Sequence, residues 1–164
     1  MKYYISGIIT TFLFLLVYNP FYKVETYIEE RVEYVEVDRE VFSEQELINY
    51  LIELKIPHPH IVLAQARLET GNFTSNIFQE NNNLFGMKRA FFRPSTTIGV
   101  NRGHAKYRSW QDSVIDFALY KAHVAQGKTE NEYYTLLGTS YAEDPEYVKK
   151  VRRLVALSET QFIF

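Results

Sequence analysis

The segment from Ile61 to Gly71, IVLAQARLETG, constrains the fold most, because it is apolar around most of its circumference. A helix without a polar face has to be surrounded, so it is expected at the centre of the body with other elements packed on several sides. Gln65 and Glu69 interrupt the apolar surface, and being four residues apart they share one helix face. A polar stripe on a buried helix calls for an opening to water or to a ligand. A cleft is therefore expected on that face.

The rest of the body reads as helices with marked ends. Ser43 with Glu46 forms a capping box for a helix to about Leu54, and Pro57 breaks the chain before the next. Pro59 sits at the start of the central helix and Gly71 at its stop. Ser109 with Asp112 opens a helix through about Val124, and Thr129 with Glu132 opens another, closed at Gly138. Asp144 and Pro145 start the last, with Asp144 as its N-cap, and it continues to about Leu157. Only Gly86 to Tyr107 departs from this pattern. Its Phe, Thr, Ile and Val residues, punctuated by Pro94, Gly99 and Gly103, predict a hairpin or an extended loop. At 164 residues, 46% of them hydrophobic, the chain can bury one core of ordinary size. The expected fold is mainly α, a helical body with a small β-hairpin lobe.

Ahead of the body, Tyr3 to Tyr18 carries no charge, follows Lys2 and is followed by Asn19 and Pro20. This reads as a membrane-targeting segment, either a signal peptide or an uncleaved anchor. No small-x-small cleavage site follows the apolar run, which favours an anchor with the body exported to the cell envelope, outside the cytoplasm. The organisation expected is a membrane anchor or signal segment over 1–20, a charged stalk over 21–42 and the body over 43–164. An added strand or helix packed on the body is the alternative for 21–42.

The chain has no cysteine, which excludes disulfides, thiolate chemistry and zinc-thiolate sites. His58, His60, His104 and His123 form no metal-binding helical pair, so neither a metal nor another cofactor is expected. No nucleic-acid-binding motif is present. From Leu47 onward 14 basic residues face 11 acidic ones, a balance of +3 that suits a polyanionic partner.

Glu69 lies at the C-terminal end of the central helix, where unpaired carbonyls disfavour an ionised carboxylate. Partial burial acts in the same direction, and together the two effects prepare a general acid. Spacing alone leaves an exposed helix-end glutamate as the alternative.

Four blocks in order bear on that choice: Ala64-Gln65-Ala66 with Leu68 to Gly71, Asn82 to Lys88, Tyr107 before Ser109, and Tyr141 to Pro145 with Tyr147. Together they resemble the glucosaminidase domain of bacterial peptidoglycan hydrolases. The resemblance implies a lysozyme-like α fold and hydrolysis of a β-1,4 bond in the polymer of N-acetylglucosamine and N-acetylmuramic acid. It also implies an endo-β-N-acetylglucosaminidase type of enzyme, with Glu69 as the acid. Peptidoglycan is then the partner, with a lytic transglycosylase or a catalytically silent wall-binding module as alternatives.

Around that acid, Gln65, Asn82, Asn83, Phe85, Gly86, Lys88, Tyr107 and Tyr147 are candidate substrate contacts. The Asn amides are suited to sugar hydroxyls and acetamides, and Gly86 to a close backbone approach. Phe85 reads as core ahead of contact, and Tyr147 equally as either. A second catalytic carboxyl is usual in glycosidases, yet Asn81 to Gln111 contains no Asp or Glu. Glu80 is the nearest substitute. The other route is attack by the substrate's own acetamide, with Tyr141 orienting it.

Overall fold

The computed structural model describes residues 42–158. The segment 1–20 and nearly all of the expected stalk lie outside the described residues. No helix among the described residues is long and apolar enough to cross a membrane. The fold is mainly helical with one small two-stranded sheet.

Helix α1 (Glu44–Glu53) begins with the capping box expected of Ser43: its hydroxyl accepts from the Glu46 amide at 3.2 Å, and the Glu46 carboxylate accepts from the Ser43 amide at 3.1 Å. Phe42, placed by the sequence in the stalk, packs its ring against Phe73, Phe78 and Trp110. Helix α2 (Pro59–Thr70) is the central helix and stops at Gly71 in the left-handed conformation. Helix α3 (Asn76–Asn81), capped by Ser75, has no counterpart in the sequence reading, because six residues are too few to display a helical period.

Strands β1 (Gly99–Asn101) and β2 (His104–Lys106) form the hairpin, antiparallel, with Val100 opposite Ala105. Its two-residue turn places Arg102 and Gly103 at positive φ, the twist that suits a tight hairpin. Helix α4 (Trp110–Val124) is capped by Ser109, and α5 (Glu130–Leu136) by the Thr129 and Glu132 capping box.

The stop expected at Gly138 does not occur. The chain continues as a π-helical turn (Leu137–Tyr141). The glycine serves packing: a Cβ there would lie 3.2 Å from Cγ2 of Val148. Helix α6 (Tyr147–Ser158) follows, with the Asp144 carboxylate accepting from the Glu146 amide at 2.9 Å in the preceding turn.

Helix α2 is apolar all round because it is buried on two sides. Val62, Leu63 and Ala66 join α1, α4 and the start of the lobe in one cluster with Leu47, Leu51, Phe85 and Phe117. Ile61 and Ala64 join α5 and α6 in a second with Tyr133, Leu137 and Val151. Both clusters converge on Tyr141, at the end of the π-helical turn.

Candidate active site

Glu69 sits in the last turn of α2, partly buried. Its Oε1 accepts the hydroxyl proton of Tyr147 on α6 at 2.8 Å. Its Oε2 faces Gly86, where a Cβ would lie only 3.1 Å away. Gly86 also has φ +61, which L side chains rarely adopt, so the position requires glycine twice over. The close neighbour of this glycine is the carboxyl of Glu69. Burial raises the pKa of that carboxyl above its ordinary value, while the hydrogen bond from Tyr147 and the proximity of His104 on β2 lower it by less.

Gln65 is fully buried, so of the polar stripe on α2 Glu69 alone borders the cleft described below. Tyr133 on α5 donates its hydroxyl proton to Gln65 Oε1 at 2.6 Å. This fixes the amide so that its Nε2 donates to the Tyr147 hydroxyl at 3.4 Å. The proton of Tyr147 is thereby left to point at Glu69. Three buried side chains form a one-way series of donors that ends on the carboxylate.

Glu69 borders a cleft of about 300 Å³, lined also by Phe85, Gly86, Met87, Lys88, Tyr120 and Tyr141. Tyr141 donates its hydroxyl to the Phe85 carbonyl at 3.1 Å, and its ring contacts those of Tyr120 and Tyr147. Burial, with Tyr147 and Glu69 nearby, raises its pKa well above the usual phenol value, so it stays a neutral donor. A second cavity of about 310 Å³, lined by residues such as Leu54, Pro57, Ala118 and Lys121, has no acid in its wall.

The other residues singled out from the sequence fall elsewhere. Asn83 is buried, with its amide nitrogen donating to the Met87 and Ala105 carbonyls and its oxygen accepting from the Phe85 and Met87 amides. Asn82 donates to the Tyr107 and Arg108 carbonyls. Both amides hold the lobe to the body. The Phe85 ring stacks on Phe117 at 4.0 Å in the core. Tyr107 is buried, and its hydroxyl donates to Asp116 at 2.8 Å. Glu80 pairs with Arg102 at 2.8 Å, accepts from Asn101 at 3.3 Å, and does not line the cleft.

Sequence reasoning passed over Tyr120 and Tyr133. Tyr133 bonds across a separation of 68 residues, and no local signal encodes such a partner.

Comparison with known proteins bears on the family and the fold. The model of the glucosaminidase family, described as mannosyl-glycoprotein endo-beta-N-acetylglucosaminidase, matches residues 44–159. The peptidoglycan hydrolase FlgJ of Salmonella typhimurium is 30% identical over an alignment of 132 residues that covers 63% of this chain and 42% of that protein. FlgJ of Escherichia coli K12 is 29% identical over an alignment of 124 residues that covers 61% of this chain and 39% of that protein. The match thus spans about two fifths of the length of these relatives. The catalytic domain of the autolysin Auto from Listeria monocytogenes has the same fold, with a TM-score of 0.50 at 21% identity, covering 87% of this chain and all of that one. With a partly buried carboxyl at a cleft and the family pattern across 44–159, this chain belongs to the glucosaminidase family.

Proposed function

We propose that this chain is a peptidoglycan hydrolase of the endo-β-N-acetylglucosaminidase type, exported to the cell envelope and held there by its N-terminal apolar segment. It cleaves β-1,4 bonds between N-acetylglucosamine and N-acetylmuramic acid, with Glu69 as general acid. The observation that carries this reading is the environment of Glu69. Burial raises its pKa at the edge of a cleft, while Tyr147 fixes one oxygen and leaves the other facing the lobe. The names of the FlgJ relatives support the substrate class.

Among the described residues Glu69 is the only carboxyl that lines the cleft, and Glu80 is engaged by Arg102 and Asn101. Both facts favour the substrate-assisted route. Glu69 gives its proton to the glycosidic oxygen as the C1–O bond breaks, and the acetamide oxygen bonds to C1. Water then attacks C1, the acetamide bond opens, and the Glu69 carboxylate takes up the proton of that water. Tyr141, a neutral phenol in the cleft wall, orients the acetamide, and Lys88 at the rim pairs with substrate carboxylates.

Mass spectrometry of fragments released from purified sacculi by the full chain tests this. Fragments ending in a reducing N-acetylglucosamine are expected. Anhydro ends would identify a lytic transglycosylase. Sedimentation with sacculi without fragment release would identify a wall-binding module.

A further inference from the structure

Away from the floor of the cleft, the loop over residues 88–93 (KRAFFR) presents its apolar groups outward. Phe91 is 77% exposed and Phe92 99%, the two most exposed large hydrophobic residues among those described. Their exposure does not come from a loose chain end. The next residue, Arg93, is tied into the body by a bidentate ion pair with the fully buried Asp116, at 2.8 and 2.9 Å. The loop is thus held at its base while both rings stand in water. Lys88 and Arg89 flank them, the Arg89 guanidinium lies 5.8 Å from the centre of the Phe91 ring, and neither cation enters an ion pair among the described residues.

We propose that this loop docks on an anionic lipid bilayer, with Phe91 and Phe92 in the interface and Lys88 and Arg89 on the headgroups. Two adjacent rings without a polar handle gain most from an apolar phase, which a hydrated glycan does not supply. The cleft makes the opposite choice: the rings that line it are Tyr120 and Tyr141, whose hydroxyls suit sugars. The sign of the charge selects the lipid, because no acid lies between Asn81 and Gln111 to repel a negative surface. This inference is independent of the glycosidase reading. Since Lys88 belongs to both the loop and the cleft wall, docking would set the cleft beside the membrane.

A Phe92→Trp reporter in the full chain tests it. Trp110 is the only native tryptophan and is buried, so the difference from the parent spectrum reports on the loop. With phosphatidylcholine vesicles containing phosphatidylglycerol, the reporter emission should shift to the blue and be quenched by brominated acyl chains. The quenching should be lost in phosphatidylcholine alone, and lost again when Lys88→Glu and Arg89→Glu are added while the Trp110 emission stays unchanged. An unquenched reporter with phosphatidylglycerol present would overturn the proposal. So would equal quenching in both vesicles, a blue shift produced by soluble glycan fragments without lipid, or one produced by raising protein concentration alone.

Discussion

In the proposed reaction Glu69 would keep its proton until the leaving oxygen needs it and then carry a negative charge, and different neighbours serve the two states. Burial favours the acid, and the hydrogen bond from Tyr147 favours the anion. Replacing Glu69 by Gln removes the proton and keeps the volume, so turnover is expected to fall roughly 10²–10⁴-fold with unchanged melting. Tyr147→Phe removes an influence that lowers the pKa of Glu69 and leaves burial unopposed by it. The acid then holds its proton to higher pH, and the alkaline limb of the kcat profile should move up. A limb that stays in place would show that the phenol does not act on the acid. The attacking group is tested by proton NMR of the fresh reducing end. Retained configuration, a strongly slowed Tyr141→Phe and a nearly unaffected Glu80→Gln are expected, whereas an inverted product with an inactive Glu80→Gln would sink the substrate-assisted route. The pairing of Gln65 and Glu69 on one face is legible in the sequence because it depends only on helical spacing. That Gln65 looks inward to Tyr133 and Tyr147 is not, since those partners come from helices brought close only by packing.

Three helix starts were legible from local signals, whereas the stop expected at Gly138 and the start expected at Asp144 were not where the helices end and begin. Ser43 with Glu46, Ser109 and Thr129 cap the helices they were expected to cap, because an N-cap and the residues it serves lie within one turn. The π-helical turn was not legible, because it depends on how closely Val148 of α6 approaches Gly138. Nor was the tether of the lobe, in which Arg93 and Tyr107 meet on Asp116 of α4. Burial alone would raise the pKa of that carboxyl, but hydrogen bonds from Arg93, Ser95 and Tyr107 outweigh it and hold the value below the ordinary one. Removing one partner of a buried pair strands the other, so Asp116→Ala should cost about 3–5 kcal/mol of stability. Asp144→Ala, in the exposed turn ahead of α6 rather than at its expected N-cap, should lower the melting temperature only slightly. The folded-state pKa of Asp116 is the lower one, so its contribution is present above the unfolded value and is lost as pH falls below it. Chemical denaturation of parent and Asp116→Ala at neutral and at acidic pH should show the gap narrowing on acidification. A gap that does not depend on pH would remove Asp116 from the ionised tether.

On the scale of the whole body, α2 lies between two apolar clusters, and one charge is enclosed beside it. Lys121 of α4 is 4% exposed and has no carboxylate partner among the described residues. Its ammonium donates to the Pro57 carbonyl at 2.5 Å and lies 4.0 Å from the centre of the Tyr133 ring, so it links the start of α2 to α5. Burial pushes its pKa down from 10.5 to about 7, against the pull of the carbonyl and the ring. Below about pH 7 the folded and unfolded chains both carry this proton, and the folded state bears the full cost of enclosing the charge. Between that value and the ordinary lysine range the folded chain releases the proton first. The unfolded chain then binds more protons, and stability rises with pH. Lys121→Met, which fills similar volume without the charge, should therefore stabilise the fold by on the order of 1–3 kcal/mol at mildly acidic pH. Its advantage should shrink as the pH is raised toward the ordinary lysine pKa, where the parent has lost the same charge. Urea denaturation of parent and variant across that range reads both quantities. A constant difference, or a variant less stable at acidic pH, would mean that the carbonyl and the ring stabilise the ammonium enough to offset its burial.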